Sequence, residues 1–507
     1  MSTVELGAHL GLPEVVAVAR QGARVVLPPA VRERVARGSA MVSQLVQQRR
    51  PVYGITTGFG KFSDVTISPE ETAALQRNLL MSHACAVGDP LPQEVVRAML
   101  LLRAQALSHG HSGIRVETLE LLVKFLNLGV VPVVPEQGSL GASGDLAPLA
   151  HMSLPLIGLG EAYVNGERLP GAEALARVGL EPVTLTAKEG LALINGTQAM
   201  TALGCLGVYD AQTLLKTADI AAALTAEALG AIPAAWDPRI QKLRLHPGQQ
   251  ATGRNLRRLV EGSRLVTRPG QVRTQDPYTL RCLPQVHGAS RTAVAHVAEV
   301  LGWEMNAVTD NPLLFPEEGE VISGGNFHGQ PVALALDYLA IAVAELADIA
   351  ERRIERLVNP QLSGLPAFLT SNGGLHSGLM ITQYTAASLV SENKVLAHPA
   401  SVDSIPSSAN QEDHVSMGTT AARKARKVMA NVRRVLAIEL LCAAQALEFR
   451  GPERLAPATR AAYEAVRQRV APLDGDRVMT PDIESLAEMV HSGELVSAVE
   501  KVIGELE

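Results

Sequence analysis

The 507-residue chain contains few cysteines and few aromatic residues. Its four cysteines, Cys85, Cys205, Cys282 and Cys442, lie far apart, and no two stand in a CxxC spacing. Zinc sites and disulfide frameworks need closely grouped thiols, so this pattern argues against both. We therefore expect no bound metal ion and a protein that works in the reducing cytoplasm.

An excess of positive charge is also missing. The formal net charge of −6 argues against a nucleic-acid surface. The segment MSTVELGAHLGLPEVV has no basic stretch followed by an apolar run, so we expect no secretory signal. One uncharged run, residues 190–209, has the length of a membrane span, but it carries Asn195, Thr197 and Gln198. We interpret it as a buried helix beside a polar pocket, with no membrane partner.

Helical patterns dominate the sequence, and strand patterns such as residues 129–134 are few and short. Ser68, Pro69 and Glu71 have the order of a capped helix start and predict a helix to about Ser82. Further helices are predicted from spacing and from Gly-Pro or Asn-Pro stops at residues 92–108, 115–127, 330–358 and 416–450. We predict a mainly α fold with two parts, a head of loops and short strands at 1–210 and a region of long helices at 211–507. The last two helices are apolar over much of their circumference, which favours a bundle core or a subunit interface.

Two glycine-rich motifs resemble catalytic loops but fail in detail. YGITTGFGKF, residues 53–62, has Ile55 where a phosphate-binding loop needs glycine, and Phe62 where it needs serine or threonine. GASGD, residues 141–145, has Asp145 where the nucleophile elbow of a serine hydrolase needs glycine. Neither a nucleotide-binding protein nor a serine hydrolase is favoured.

Ala142-Ser143-Gly144 has the composition for a different chemistry. Gly138 and Gly141 permit a sharp bend, and Asp145 can cap a helix starting near Leu146. In such a bend the amide nitrogen of Gly144 can attack the carbonyl of Ala142, and the hydroxyl of Ser143 can leave as water. The product is an electrophile, which no ordinary side chain provides.

These motifs carry a family resemblance over most of the chain. The segment GSLGASGDLAPLAHMSL resembles the signature of the histidine/phenylalanine ammonia-lyase family. Other segments match that family in order: YGITTGFGKF, LLMSHACAVG, INGTQ, QDPYTLRCLPQVHG, VTDNPL, SGGNFHGQPVA and QEDHVSMG. The resemblance implies an ammonia-lyase/fumarase-like superhelical fold and a homotetramer with shared active sites. It also implies an electrophile, 4-methylidene-imidazol-5-one (MIO), formed autocatalytically from Ala142-Ser143-Gly144 without an external cofactor.

Two segments resemble the histidine-specific members of the family, namely Ser82-His83 and Gln411–His414 with Glu412. An imidazole offers both a donor and an acceptor, so a histidine and a carboxylate suit it better than they suit a phenyl ring. The implied reaction converts L-histidine to trans-urocanate and ammonia, the first step of histidine degradation. A tyrosine or phenylalanine ammonia-lyase, an MIO aminomutase and an inactive helical scaffold stay open as alternatives.

The resemblance also implies a role for each matching residue. In the implied mechanism Tyr53 is the base for the β-proton, Arg281 binds the substrate carboxylate, and Asn195 and Tyr278 lie beside the MIO oxygen. Gln275 and Phe327 line the pocket, His83 and Glu412 orient the imidazole, and Glu412 is a second candidate base. His151, His287 and His328 lie in matching motifs, and we interpret them as structural. Whether the substrate's amine or its imidazole attacks the MIO stays open.

Overall fold

The computed structural model describes residues 3–58, 67–68 and 71–507. Helices dominate this part of the chain, as predicted. In chain order they are α1 Leu12–Gln21, α2 Pro29–Gln47, α3 Thr72–His83, α4 Gln93–Ser108, α5 Val116–Leu128, α6 Leu146–Ser153, α7 Gly171–Arg177, α8 Glu189–Ile194, α9 Gln198–Ala228, α10 Pro238–Lys242, α11 Pro247–Leu259, α12 Tyr278–Arg281, α13 Leu283–Glu304, α14 Gln330–Val358, α15 Pro360–Ser363, α16 Met380–Leu396, α17 Gly418–Glu448, α18 Pro457–Arg469, α19 Thr480–His491 and α20 Glu494–Ile503.

The strands are short and pair locally. They are β1 Thr3–Glu5, β2 Arg24–Val26, β3 Val87–Pro90, β4 Val131–Pro132, β5 Pro135–Gln137, β6 Glu161–Val164, β7 Glu167–Pro170, β8 Leu313–Phe315 and β9 Glu320–Ile322. β1 and β2 are parallel, whereas β3–β5, β4–β6–β7 and β8–β9 are antiparallel. The strand predicted at 129–134 is two residues long, because its neighbour β6 pairs with it only at Val131 and Pro132.

The predicted helices at 92–108, 115–127 and 330–358 agree with α4, α5 and α14 within a residue or two. The helix predicted from Ser68 begins at Thr72, whose hydroxyl donates to the carbonyl of Ser68, while Pro69 and Glu70 lie outside the described residues. The helix predicted at 416–450 is α17, which starts and ends two residues inside those limits. Boundaries shift by a turn because capping geometry, rather than hydrophobic period, sets them.

The chain divides into two compact units that do not follow chain order. The first unit contains residues 1–206, 298–337 and 399–423, and the second contains 207–297, 338–398 and 424–507. All strands of the described residues belong to the first unit. The first segment of that unit ends near the predicted boundary at 210, but the unit also includes two later segments. The division at 210 itself stays a prediction.

The second unit is built around helices that are buried on all sides. Every residue of α9 from 217 to 228 is buried, as is every residue of α17 from 435 to 447. A helix buried all round is expected where it is the centre of a core. Within this core, Arg353 of α14 binds Glu439 of α17 through two hydrogen bonds of 2.6 and 2.8 Å.

The uncharged run at residues 190–209 is buried as predicted, except for Tyr209 at its end, but it is not one helix. α8 ends at Ile194, α9 begins at Gln198, and Asn195, Gly196 and Thr197 form the break between them. In the part of the chain that the structure describes, no helix combines the length and apolarity needed to cross a membrane. The break puts backbone amides and carbonyls of the run into the candidate site.

Candidate active site

The first feature of the site is a tight bend at Gly141–Gly144 in the first unit. The amide of Gly144 donates to the carbonyl of Gly141 at 3.4 Å, and Ser143 has φ +53°. Left-handed backbone is costly for a residue with a side chain and persists only where its surroundings enforce it. Ala142 and Ser143 are half-buried, whereas Gly141 and Gly144 are buried. The sharp bend predicted for this triad is therefore present in the structure.

Close neighbours hold the bend from two sides. A Cβ on Gly144, which has φ +80°, would lie 2.2 Å from the carbonyl oxygen of Gly196. A Cβ on Gly141 would lie 2.3 Å from the hydroxyl oxygen of Ser416. Real Cβ atoms cannot approach so closely, so only glycine fits at either position. The bend is packed against the α8–α9 break and against the segment before α17.

Asp145 has a different role from the one its position in sequence suggests. α6 does begin at Leu146, but the Asp145 side chain makes no capping bond to that helix. Its carboxylate instead accepts from the amide of Met200 at 2.9 Å, and from the hydroxyls of Ser139 and Thr419. It therefore lies at the amino terminus of α9, where the helix dipole favours negative charge. Burial raises the pKa of Asp145, and these hydrogen bonds oppose that rise.

Asn195 lies at the α8–α9 break with its side chain buried. Its amide nitrogen Nδ2 donates to the carbonyl of Asn311 at 2.9 Å. Its Oδ1 atom is buried and has no hydrogen-bond partner among the residues that the structure describes. Buried polar atoms are rarely left unpaired, so an unpaired oxygen here indicates a place where a donor binds.

His83 and Glu412, the two residues expected to recognise an imidazole, act on each other electrostatically within the first unit. Burial lowers the pKa of His83, while its bond to the Leu79 backbone and the charge of Glu412 raise it. The Nδ1 atom of His83 lies 3.0 Å from the hydroxyl of Ser82. Glu412 is held by the hydroxyl of Ser407 at 2.9 Å and by backbone pairing with the same residue. The half-buried imidazole of His83 and the half-buried carboxylate of Glu412 therefore lie near each other in the first unit.

A second group of predicted residues lies in the second unit, on the short helix α12. Arg281 donates to the side chain of Gln275 at 3.0 Å, and its guanidinium lies 4.7 Å from the centre of the Tyr278 ring. Tyr278 is 71% exposed. A cation held against an aromatic face keeps its remaining donors available for a carboxylate.

The turn that carries this group is anchored from beneath. The buried Trp236 donates its indole N–H to the carbonyl of Leu280 at 2.9 Å. The carboxylate of Asp276 accepts from the amide of Ile232 at 2.6 Å and from Arg273 at 2.6 Å. These hydrogen bonds hold the backbone of α12, which carries the exposed side chain of Tyr278, in place.

Tyr53 and Phe327 are half-buried residues of the first unit, each in a turn. Tyr53 lies in the turn that follows α2, and Phe327 lies in the turn before α14. Residues 59–62 of the YGITTGFGKF motif, Gly60 among them, lie outside the described residues. The roles assigned to Tyr53 and Phe327 stay predictions, as do those of the other site residues.

The histidines interpreted as structural have contacts of their own. His151 accepts from the amide of Ala86 at 3.1 Å, which fixes the chain next to His83. His328 stacks on His414 with ring centres 5.5 Å apart. His287, in the second unit, binds the carboxylate of Asp219 at 2.8 Å.

Sequence reasoning missed Arg103, which is wholly buried in α4 and contacts the α8–α9 break. A signal was available: Arg103 stands inside the apolar stretch AMLLLRAQAL, residues 98–107. An arginine in an apolar helix is buried only when it is paired, so it marks a polar partner elsewhere in the fold.

Comparison with known proteins identifies the fold that carries these residues. Residues 10–468 match the family described as aromatic amino acid lyase. The chain belongs to the aromatic amino acid lyase family. It is 86% identical over 507 residues to a histidine ammonia-lyase of Symbiobacterium thermophilum, with 100% of both chains covered. Membership confirms the predicted enzyme class, a carbon–nitrogen lyase, and the predicted fold.

Solved structures of aromatic amino acid lyases and their relatives superpose closely on the chain. A histidine ammonia-lyase from Trypanosoma cruzi has a TM-score of 0.92 at 45% identity, covering 99% of this chain and 96% of its own. A tyrosine aminomutase from Streptomyces globisporus has a TM-score of 0.96 at 39% identity, covering 100% of both chains. The same fold is thus found in proteins described by two different reactions, so the family fold does not fix the substrate.

Proposed function

We propose that this protein deaminates L-histidine to trans-urocanate and ammonia, with an MIO group made from its own Ala142-Ser143-Gly144. The bend at Ser143 is the observation that carries the proposal. The proposal draws support from the high identity to proteins described as histidine ammonia-lyases. We further propose that the protein acts as a homotetramer with shared active sites.

The bend fits the chemistry that forms MIO. The nitrogen of Gly144 bonds to the carbonyl carbon of Ala142, and the carbonyl oxygen leaves as water with the hydrogens of the Gly144 and Ser143 amides. The hydroxyl of Ser143 and its Cα hydrogen then leave as a second water, which creates a carbon–carbon double bond. Because Gly144 has no Cβ, it can approach Ala142 while packed against Gly196. When formed, MIO supplies an electrophile that activates the substrate for loss of ammonia.

The Oδ1 atom of Asn195, which has no hydrogen-bond partner among the described residues, is an acceptor and suits a bound donor such as the ammonium group of the substrate. Asn195 directly precedes Gly196, and the carbonyl of Gly196 contacts Gly144. In this proposal the Asn195 side chain and Tyr278 lie beside the cyclised triad, and Phe327 lines the pocket around it. A buried amide held by Asn311 is a preorganised polar group that needs no reorientation during the reaction.

His83 and Glu412 give the proposed preference for an imidazole substrate. Burial lowers the pKa of His83, so the ring is neutral at neutral pH. The hydroxyl of Ser82 donates to the carbonyl of Leu79 at 3.1 Å, so the Ser82 oxygen accepts from Nδ1–H of His83. The Nε2 atom of His83 and the carboxylate of Glu412 are then both acceptors, and one of them takes the single N–H of a neutral substrate imidazole. A phenyl ring would leave both acceptors unpaired, which disfavours it.

Two further roles are proposed, one for Arg281 and one for Tyr53. Arg281, held by Gln275 and Tyr278, is proposed to bind the substrate carboxylate as a bidentate pair. Tyr53 is proposed to take the β-proton, with Glu412 as the second candidate base. An ordinary tyrosine has a pKa near 10, so this role requires positive potential around Tyr53 in the assembled site.

Intact-mass measurement and product analysis together test the proposal. We expect the purified chain to be lighter than its translated sequence by two water molecules, and to release urocanate from L-histidine. An unshifted mass would support an inactive scaffold. A second candidate, suggested by the similarity to a tyrosine aminomutase, predicts a β-amino acid from L-tyrosine. Cinnamate or coumarate as the preferred product would instead identify a lyase for phenylalanine or tyrosine.

A further inference from the structure

Gly196 lies between the bend at Ser143 and a buried arginine. On one side, its carbonyl accepts from the amide of Asp145 at 2.7 Å and contacts Gly144. On the other side, a Cβ on Gly196 would lie 2.5 Å from Nη1 of Arg103. Gly196 is thus a thin spacer between the guanidinium of Arg103 and the residue that must attack Ala142.

Arg103 holds the α8–α9 break through a single nitrogen. Its Nη1 donates to the carbonyl of Asn195 at 2.9 Å, to the side chain of Gln198 at 3.0 Å and to the carbonyl of Thr309 at 3.1 Å. These three acceptors come from the last residue before Gly196, from the first turn of α9 and from the segment before β8. One buried guanidinium therefore fixes the position of Gly196 relative to two other segments of the first unit.

The guanidinium is charged although it is fully buried. Burial lowers the pKa of Arg103 to about 10, so it is a cation at neutral pH. Its Nη2 atom lies 3.9 Å from Asp310, which also binds the buried Lys188 at 2.9 Å. Bonds from a charged donor to carbonyl oxygens are stronger than neutral ones, so the break is held firmly.

We propose that Arg103, acting through Gly196, is a positioning residue for the cyclisation of Ala142-Ser143-Gly144. The carbonyl of Gly196 packs against Gly144, and Arg103 packs against Gly196, so movement of Gly144 toward Gly196 is blocked. The inference rests on the proposed function, since it concerns how the proposed MIO forms. Arg103 does not touch substrate, and the cyclisation consumes only atoms of the triad, as balanced above.

The test is the rate of loss of two waters, followed by intact mass after cell-free synthesis. Arg103→Lys keeps the charge but replaces a planar fork with a compact ammonium on a flexible stem. We expect conversion slowed by roughly tenfold or more, because a small misplacement of reacting groups is costly. Circular dichroism and the thermal midpoint report whether the variant has folded.

Arg97 provides a matched control on the same helix. It donates to the backbone carbonyls of Val18 and Leu126, on α1 and α5. Arg97→Lys should destabilise the protein without slowing conversion. Normal conversion in folded Arg103→Lys would overturn the proposal. Equal slowing in both variants would also overturn it, because lost stability alone would then explain the effect.

Gly196→Ala is the second variant and decides the matter if Arg103→Lys does not fold. Its methyl group would meet Arg103, Gln198 and Thr309 at 2.5 Å and displace the carbonyl that backs Gly144. We expect unconverted chains in the folded fraction, and complete conversion at the wild-type rate would contradict the proposal. Failure of the wild-type chain to lose two waters would refute the proposed function instead, so the two failures are distinguishable.

Discussion

Two short turns carry several of the predicted site residues, and they are built in opposite ways. The turn at Gly141–Gly144, in the first unit, has its ends buried and its backbone bent against Gly196 and Ser416. The turn at Tyr278–Arg281, in the second unit, has an ordinary helical backbone and presents Tyr278 at 71% exposure. In the proposed mechanism the backbone of the first turn reacts, whereas the side chains of the second turn bind the substrate.

The difference predicts how each turn responds to substitution. Changes that loosen the first turn should alter the covalent structure of the protein, and intact mass should detect them. Changes beneath the second turn should leave the mass unaltered and weaken substrate binding. Each of the following variants tests whether the two turns separate in this way.

Ser143→Ala should have the largest effect. Without the hydroxyl the second water cannot leave, so we expect neither the full mass loss nor turnover of L-histidine. The measurement is intact mass together with urocanate formation. Turnover at the wild-type rate in Ser143→Ala would refute the role of the triad.

Glu412→Gln should lower turnover of L-histidine by about a hundredfold or more, the usual contribution of a general acid or base. The mass loss should be complete, because the role proposed for Glu412 concerns the substrate and not the cyclisation. Asp413→Asn, an exposed neighbour, is the matched control and should retain activity. Normal histidine kinetics in Glu412→Gln would show that its proposed role is wrong.

Trp236→Phe should raise the KM for L-histidine with complete mass loss. The substitution removes the donor to the carbonyl of Leu280, and a buried unpaired carbonyl costs about 1–3 kcal/mol of stability. Trp303, the other tryptophan, is 64% exposed, so Trp303→Phe is the control for loss of an indole. An unconverted fraction in Trp236→Phe would mean that the two turns are not separable.

The smallest effect concerns pH and His287, which lies deep in the second unit. Burial lowers the pKa of His287 and Arg353 adds to this, while the bond to Asp219 and the charge of Glu439 oppose it. The folded protein keeps the ring neutral, but the unfolded chain takes up a proton below about pH 6.5. The contribution of neutral His287 to stability is therefore present above that pH and is lost as pH falls.

The measurement for His287 is the free energy of unfolding between pH 8 and pH 5. The difference between wild type and His287→Asn should be largest at pH 8 and shrink by at most about 1.4 kcal/mol per pH unit below 6.5. His296→Asn, which removes an exposed histidine of the same helix, is the control for loss of an imidazole. A wild-type advantage that grows on acidification would contradict the assignment.

Much of the fold could be predicted because residues close to a helix end determine where the helix stops. Asn359-Pro360 and Gly451-Pro452 predict where α14 and α17 stop to within a few residues, since proline and glycine act on the backbone directly. The short strand β4 was overestimated, because strand length depends on a partner, β6, that is distant in sequence. The two-unit arrangement draws on segments far apart in the chain, which a local pattern cannot reveal.

For the candidate site too, local sequence predicted some features, whereas contacts between distant segments decided others. The sequence by itself determined which reactive side chains the chain offers: a serine between small residues, a histidine, a glutamate and an arginine. Their roles toward an imidazole and a carboxylate are still predictions. Only the tertiary structure decided how that chemistry is held. Asp145 precedes α6 in sequence but binds the amide of Met200 at the start of α9, and Arg103 reaches the α8–α9 break from α4. Buried charges must find partners wherever the fold provides them, and those partners are set by packing rather than by sequence distance.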